Sequence, residues 1–564
     1  MSPMTHPGEQ FYPAGLTWDA PVARGTLPDL LSTSATRYGA RPAIEFRDRA
    51  ISFTELEALV ETAAAALLRA GYGKDCSVGL YLGNLPDHPI NFFGALKAGA
   101  RVVHLSPLDG ERALSHKLSD SGARILITSD LAGLLPMALK FLEKGLLDRL
   151  IVCDDEHWGA VGNPHTPIPD DPRIVRYADF TKDATPPAQW PALKPDDVAV
   201  LQYTGGTTGL PKGAMLSHGN LTSAVSIYDL WGARDRAERN TVERVICVLP
   251  LFHIYALTVI LLRSLNNGDL ISLHQRFDVA AIFRDIEEKR ATVFPGVPTM
   301  WIALANDPSL ESRDLSSLAT CGSGGAPLPV EVAKVFERKT GLQLKSGWGM
   351  TETCSPGTSH PLEGPDKPGS IGLMLPGIEL DVVSLDDTSK PLPPGEVGEL
   401  RIRGPNVTRG YWNRAQETAE AFVGDRFLTG DIGTMDRDGY FFLVDRKKDM
   451  IICGGFNVYP QMIEQAIYEH PSVQEVIVIG IPDQYRGEAA KAFVKLRSGA
   501  APFSVDALRE FLKGKLGKHE LPAALELVDE LPRTSVGKLS RHELRAKQPN
   551  HQTQQQQITT GGRP

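Results

Sequence analysis

Short apolar runs alternate with helical patterns along most of this chain, and that alternation constrains its fold more than any other feature. "CSVGLYLGN" (76–84) has the make-up of a buried strand, and "HPINFFGALKAGA" (88–100) that of a helix stopping at a glycine. "RVVHLSP" is the next strand, and "LSHKLSDSGARILITS" repeats the cycle. Strand, helix, strand at these intervals predicts α/β layers built on parallel sheet. Two proline-rich stretches, "PHTPIPDDPR" (164–173) and "TPPAQWPALKPDD", interrupt the pattern. It resumes with strands at "DVAVLQY" (197–203), "VICVLP" (245–250) and "ATVFPGVP". Between them come a helix from "SHGNLTSAVSIYDLW" and an amphipathic helix over 278–290 with Asp278 as its N-cap. "SLATCGSGGAPL" and "GLQLKSGWGMTE" each read as a strand running into a glycine-rich turn, the place where open α/β sheets hold ligands.

Past about residue 370 the texture changes. "GIELDVVS", "GEVGELRIRG" and "GYFFLVDR" are short strands punctuated by glycine and proline, predicting antiparallel sheet or a small barrel. From about 448 a compact α+β unit is expected. It reads as helix 461–469, strands 473–479 and 491–496, helix 505–516 and strand 525–528. Residues 1–25 read as an irregular segment, and the polar tail 549–564 as disordered. At 564 residues the chain exceeds a single core. The division expected is an α/β N-terminal domain over 26–447 and a smaller domain over 448–548.

A net charge of −9 makes a nucleic-acid partner a poor expectation. Six cysteines, spread along the chain with no C-x-x-C pair, point to reduced, mostly buried thiols rather than a zinc site or secreted framework. No secretory signal is legible at the N-terminus. The most apolar mid-chain stretch, "IYALTVILL" (254–262), is shorter than the roughly 20 residues a bilayer needs and reads as a buried helix. A cytoplasmic enzyme is expected, with peripheral membrane contact left open.

Six motifs carry chemistry. In "YTGGTTGLPKG" (203–213) the glycines 205, 206 and 209 allow close backbone approach, Thr204, Thr207 and Thr208 add hydroxyls, and Lys212 adds charge. Together they make an anion cradle, with a plain glycine hairpin as the alternative. The Lys-Ser/Thr pair of the common phosphate loop is missing. "GWGMTE" (347–352) sets a hydroxyl beside a carboxylate, which suits phosphate and magnesium, although Thr-Glu also starts helices. "SGGAPL" (323–328) can press its backbone on a flat ring. In "FLTGDIG" Asp431 could take ribose hydroxyls or simply cap its own turn. "DRKKDMIICGGFNVYP" (445–460) places Arg446 where the two textures meet, and "LPRTSVGKLSR" (531–541) holds Lys538 in a polar loop.

Taken in order, these motifs resemble the adenylate-forming superfamily of acyl-CoA synthetases, peptide-synthetase adenylation domains and firefly luciferase, over about residues 30–545. The resemblance is nearest to bacterial medium- and long-chain fatty acid or dicarboxylic acid (pimeloyl-type) CoA ligases. It implies a large α/β N-terminal domain, made of two parallel-type subdomains and a small β-barrel-like one, with a mobile α+β C-terminal lid. It implies ATP, Mg²⁺ and coenzyme A. A carboxylic acid becomes acyl-AMP with release of pyrophosphate, and then a thioester.

By the family pattern Thr204, Gly205, Gly206, Thr207, Thr208, Gly209 and Lys212 hold the pyrophosphate end. Gly324, Gly325, Ala326 and Pro327 flank adenine, and Gly347, Trp348, Gly349, Met350 and Thr351 line the nucleotide. Glu352, with Thr204, seats the metal, Asp431 and Arg446 bind ribose, and Lys538 bridges the carboxylate and α-phosphate. Lys448 is the hinge position, and Gly454, Gly455 and Phe456 line a pantetheine tunnel. Phe252, His253, Val297, Gly322, Trp348 and Cys354 are expected at the acyl pocket. Phe252 and His253 stand where amino-acid-activating relatives carry an aspartate, so an amino acid substrate is not expected. A fatty or medium-chain dicarboxylic acid leads, an aryl acid is second, and a non-catalytic nucleotide-binding protein of the same fold is the reading from another class. Lys538, on a loop expected to be exposed, is a candidate for reversible acylation by a lysine acetyltransferase and deacetylase. The sequence does not set the oligomeric state.

Overall fold

The computed structural model describes residues 6–204, 210–361, 364–365, 367–534 and 538–546. Two large sheets organise its first two-thirds. One runs in the order Ile174–Arg176, Arg149–Cys153, Ile125–Ser129, Ser77–Tyr81, Arg101–His104, Val198–Thr204, Lys212–Ser217, parallel except for its last pair. The other places Leu344–Trp348, Thr320–Ser323, Val293–Gly296, Arg244–Cys247 and Leu270–Leu273 side by side in parallel. The strand Pro42–Phe46 pairs in parallel with Leu270–Leu273, so an early strand joins the later sheet and locks the two halves together.

Between the sheets lie the helices Phe53–Arg69 and Asp87–Lys97. The second is buried along its whole length, with Gly94 letting it approach the first closely, since a Cβ there would lie 2.8 Å from Ala63 Cβ. One core cluster draws on both sheets and these helices. Separate clusters cover the outer face of each sheet, under the helices Glu111–Ser121 and Leu135–Glu143 on one side and Val279–Glu287 and Pro298–Ala305 on the other. Asp278 caps its helix as expected, accepting from the Ala281 N–H at 2.8 Å.

The strands Glu379–Val383, Gly398–Arg403, Arg426–Met435 and Phe441–Arg446 form an antiparallel sheet. Apart from one 3-10 turn, Glu9–Phe11, residues 6–25 are irregular, as expected, and they are held down on the segment that leads into this sheet. The Tyr12 hydroxyl donates to the Met374 carbonyl at 2.5 Å and Trp18 Nε1 to the Ile378 carbonyl at 2.6 Å. The last unit has its own five-stranded sheet and its own core, drawn from Ile451 to Leu544. Its helix Val505–Leu512 is shorter than the 505–516 expected, because Gly514 at φ 82 turns the chain away. The segment "IYALTVILL" does form a buried helix, but Ala256–Leu262 is wound as a π-helix, a geometry that periodicity cannot distinguish from α and that often marks functional sites. The tail 549–564 lies outside the described residues. Among the described residues no helix is long and apolar enough to cross a membrane.

Candidate active site

A cavity of about 1850 Å³ opens where the C-terminal ends of the second sheet, the antiparallel sheet and the last unit meet. The "YTGGTTGLPKG" motif closes an antiparallel hairpin. Tyr203 pairs with Gly213 and Thr204 with Lys212, and the helix His218–Arg239 starts only after the second strand. Thr204 and Lys212 line the cavity, while Gly205, Gly206, Thr207, Thr208 and Gly209 lie outside the described residues.

Glu352 sits in a tight turn. A Cβ on Gly349 would land 1.3 Å from the Ser355 carbonyl oxygen, so only glycine fits there. Cys354 and Ser355 carry φ of 53° and 97°, left-handed values that cost non-glycine residues about 1–3 kcal/mol each. The turn is secured by the Thr408 N–H donating to the Glu352 carbonyl at 2.7 Å. Burial pushes the Glu352 carboxyl above its ordinary pKa, against the Tyr411 hydroxyl, which donates to Oε1 at 2.8 Å. The Tyr411 ring lies 5.4 Å from the Lys212 ammonium, and its neighbours are stitched to the hairpin, with Trp412 N–H donating to the Gly213 carbonyl at 2.8 Å. Tyr411 therefore joins the cradle lysine to the buried carboxylate. Sequence reasoning missed it; its only signal was an aromatic pair after Gly410.

Across the cavity Asp431 is 4% exposed. Trp348 Nε1 donates to its Oδ2 at 2.8 Å, and Arg446 Nε pairs with Oδ1 at 3.1 Å. The pairing is dictated by strand register, since Asp431 and Arg446 face each other in neighbouring strands. Asp431 and, to a lesser extent, Asp449 raise the Arg446 pKa, while half of its guanidinium surface stays open to the cavity.

Lys538 reaches this point from the last unit. A Cβ on Gly325 (φ 78) would sit 2.9 Å from Lys538 Cε and 3.4 Å from Nζ, so that glycine makes room for the lysine. Lys538 is half-buried rather than on an exposed loop, and burial, reinforced by Arg446, brings its pKa down to about 8. The loop is held by backbone bonds, Thr534 N–H to the Lys538 carbonyl at 2.7 Å and Ser540 N–H to the Pro532 carbonyl at 2.8 Å. Just beyond it Arg541 makes a bidentate pair with Glu464 (2.7 and 3.1 Å) and reaches Asp445 at 3.0 Å and Asp449 at 3.4 Å. Asp445 directly precedes Arg446, so this ionic cluster ties the lysine segment to the strand that carries the arginine.

His253 stands near Lys538. Burial and then that ammonium hold its pKa at about 3, and its Nδ1 accepts from the Tyr255 N–H at 3.3 Å. Gln202 anchors the segment by donating to the Phe252 carbonyl at 2.8 Å. Gly322, Gly324, Ala326 and Pro327 line the cavity, with the Tyr255 ring packed under Gly324, as do Phe252, Gly347, Met350, Thr351 and the exposed Lys448.

Other expected positions lie elsewhere. Val297 is buried behind the wall, packed under Gly325, and Cys354 is fully buried in the shared core. Neither reaches the cavity, because the turn after Glu352 rolls Cys354 inward. Gly454, Gly455 and Phe456 form the tip of an exposed hairpin away from the cavity, with Phe456 stacked on His519 at 4.8 Å. Among the described residues no group of three or more metal-ligating side chains occurs. The arrangement fits magnesium, which keeps several waters and takes one or two protein carboxylates plus substrate phosphates. A buried carboxylate beside the cradle meets that need, and a cation there would relieve its desolvation.

Comparison with known proteins decides the family. The "AMP-binding enzyme" family matches residues 31–412, and the "AMP-binding enzyme C-terminal domain" matches residues 462–538.

The chain belongs to the AMP-binding enzyme family.

This AMP-binding enzyme is 36% identical over 542 residues to a long-chain-fatty-acid–CoA ligase of Bacillus subtilis, covering 93% of this chain and 95% of the relative. Its fold is similar to that of an anthranilate CoA ligase solved with anthranoyl-AMP (TM-score 0.81, 26% identity, 94% and 98% of the two chains covered). It also matches the o-succinylbenzoate coenzyme A synthetase of Bacillus subtilis solved with ATP and magnesium ion (TM-score 0.74, 28% identity, 92% and 99% covered).

Proposed function

We propose that this AMP-binding enzyme is an ATP-dependent acid–CoA ligase acting on a medium- or long-chain aliphatic acid. One observation carries the reading. Lys538, from the last unit, enters the same cavity as Lys212, Glu352, Asp431 and Arg446, beside the neutral His253. In a chain of net charge −9, cationic side chains converging on one cavity suit a polyanion such as ATP.

In the first step a carboxylate oxygen of the acid attacks the α-phosphorus of ATP. The bond to the bridging oxygen breaks, and pyrophosphate leaves with the electron pair. Catalysis of such a transfer is mostly positioning and charge neutralisation. Thr204 and Lys212 hold the leaving pyrophosphate, and Asp431 and Arg446 hold the ribose. Gly324 to Pro327, with the Tyr255 ring behind them, flank adenine. Glu352, with Thr204, would hold magnesium, which would supply charge neutralisation to the phosphates. Lys538 pairs with the acid's carboxylate and the α-phosphate at once, a role for a compact ammonium on a flexible stem. His253, neutral at physiological pH, keeps an N–H to orient the carboxylate.

In the second step the thiol of coenzyme A attacks the acyl carbonyl, and AMP leaves. We place the domain boundary at 447/448 and the hinge at Lys448, about which the last unit rotates so that Gly454 to Phe456 approach the site. Their distance from the cavity here accords with the adenylating arrangement. Acylation of Lys538 would remove its charge, and its half-buried position requires the lid to open first.

The test is ATP–pyrophosphate exchange over a panel of acids. Exchange with octanoate and longer or ω-functionalised aliphatic acids, above that with benzoate and cinnamate, is expected. Exchange with no acid refutes the activity, and benzoate far ahead of the aliphatic acids refutes the substrate class.

A further inference from the structure

From the reaction centre the cavity continues as a channel between the helix His218–Arg239 and the face of the second sheet. Tyr228, Trp231, Tyr255, Val259, Thr320 and Gly322 line it. The channel does not stay apolar. Arg263, the first residue after the π-helix, lines it too, at the end of that helix opposite Tyr255. Farther on, Arg236 is paired with Asp269 (2.5 and 3.0 Å), and Arg239 with Glu243 (3.1 Å) and Asp235 (2.5 Å).

Arg263 differs from these two. Its Nε pairs with Asp229 Oδ1 at 3.2 Å, and Asp229 also accepts from Asn266 (2.8 Å) and Asn267 (2.7 Å), so the carboxylate is shared among three donors and fixed in place. Among the described residues Nη1 and Nη2 of Arg263 make no hydrogen bond. The guanidinium lies 5.9 Å from the Tyr228 ring and fills a notch in the long helix. A Cβ on Gly232 would come within 2.7 Å of Nη2. A glycine inside a helix of 22 residues weakens it, yet this one opens the space the guanidinium occupies. The result is a planar guanidinium held through Nε by Asp229 and seated by Nη2 at the Gly232 notch, with donor capacity left on its terminal nitrogens, which matches a carboxylate in charge and hydrogen-bonding capacity.

We infer that Arg263 reads the far end of the acid, and that the channel selects an aliphatic chain bearing a second carboxylate at its ω-end. A methyl terminus would leave these donors unsatisfied beside apolar chain, which disfavours it. The inference rests on the ligase reading and names the substrate class within it.

The experiment compares length-matched pairs, heptanoate with heptanedioate and nonanoate with nonanedioate, by kcat/KM in the full reaction at a pH where both carboxyls are ionised. The wild type is expected to favour the dicarboxylate. Arg263→Gln is expected to lower dicarboxylate kcat/KM about 10- to 100-fold and to leave the monocarboxylate within about threefold, with Arg263→Lys between the two. Gly232→Ala, which crowds the guanidinium, shifts the ratio the same way and serves if Arg263→Gln fails to fold. Equal losses on both acids, or a wild type that turns over monocarboxylates and no dicarboxylate, overturn the inference while leaving the ligase reading standing. Turnover of no acid at all refutes the ligase reading itself.

Discussion

Replacing Tyr411 with phenylalanine removes one hydroxyl and leaves the ring under Lys212. The hydroxyl donates to Oε1 of Glu352 at 2.8 Å, in a place where burial already drives that carboxyl's pKa up. A hydrogen bond to a charged group contributes about 1.5–3 kcal/mol, so its loss raises the Glu352 pKa by about one to two units at 1.36 kcal/mol per unit. The sign follows from which form is needed. In the proposed role the ionised carboxylate is the form that would hold magnesium, so activity is expected to rise as pH climbs through the Glu352 pKa, and the acid limb of the profile to move to higher pH in the variant. The assay is ATP–pyrophosphate exchange against pH at limiting magnesium. An acid limb displaced upward by one to two units is expected, with activity recovered at high pH or high magnesium. A limb that stays in place while activity falls equally at every pH would refute the link between Tyr411 and the charge state of Glu352.

Two further outcomes follow from the same site. The Lys538 pKa lies near 8 in the ligand-free cavity, so its ammonium is present below that pH and lost above it. ATP affinity is expected to fall as pH rises through about 8, and calorimetry that finds the same trend in Lys538→Met would exclude Lys538 as its cause. Asp445→Asn weakens the cluster around Arg541, leaving that guanidinium with Glu464 and Asp449. A stability loss of about 1–3 kcal/mol by thermal melt, with pyrophosphate exchange falling more than thioester formation from supplied acyl-AMP, is expected.

Much of this was legible in the sequence, for reasons that differ by element. The parallel strands were readable because strands buried on both faces are continuous apolar runs between glycine turns, as in 77–81 and 125–129. The pairing of Pro42–Phe46 with Leu270–Leu273 was not, since strand order depends on contacts more than two hundred residues apart. Trp348, Asp431 and Arg446 could be named from motifs, but their mutual bonds come from the register of two antiparallel strands. Val297 and Cys354 lie next to cavity residues in sequence and yet point away, one behind Gly325 and the other rolled inward by a left-handed turn. Tyr411 and Arg263 sit in segments with no motif, and their roles arise only where distant pieces meet. Burial of Lys538 could not be read from a polar loop, because its partners belong to the other end of the fold.

In the proposed mechanism Lys538, carried in by the last unit, serves the first half-reaction and not the second. Single-turnover measurement of both half-reactions in Lys538→Ala separates the two. Loss of two charge-assisted contacts predicts acyl-AMP formation slowed by about 10²- to 10⁴-fold, with thioester formation from supplied acyl-AMP and coenzyme A within a few-fold of wild type. Equal loss in both half-reactions, or acyl-AMP formed at the wild-type rate, would contradict it.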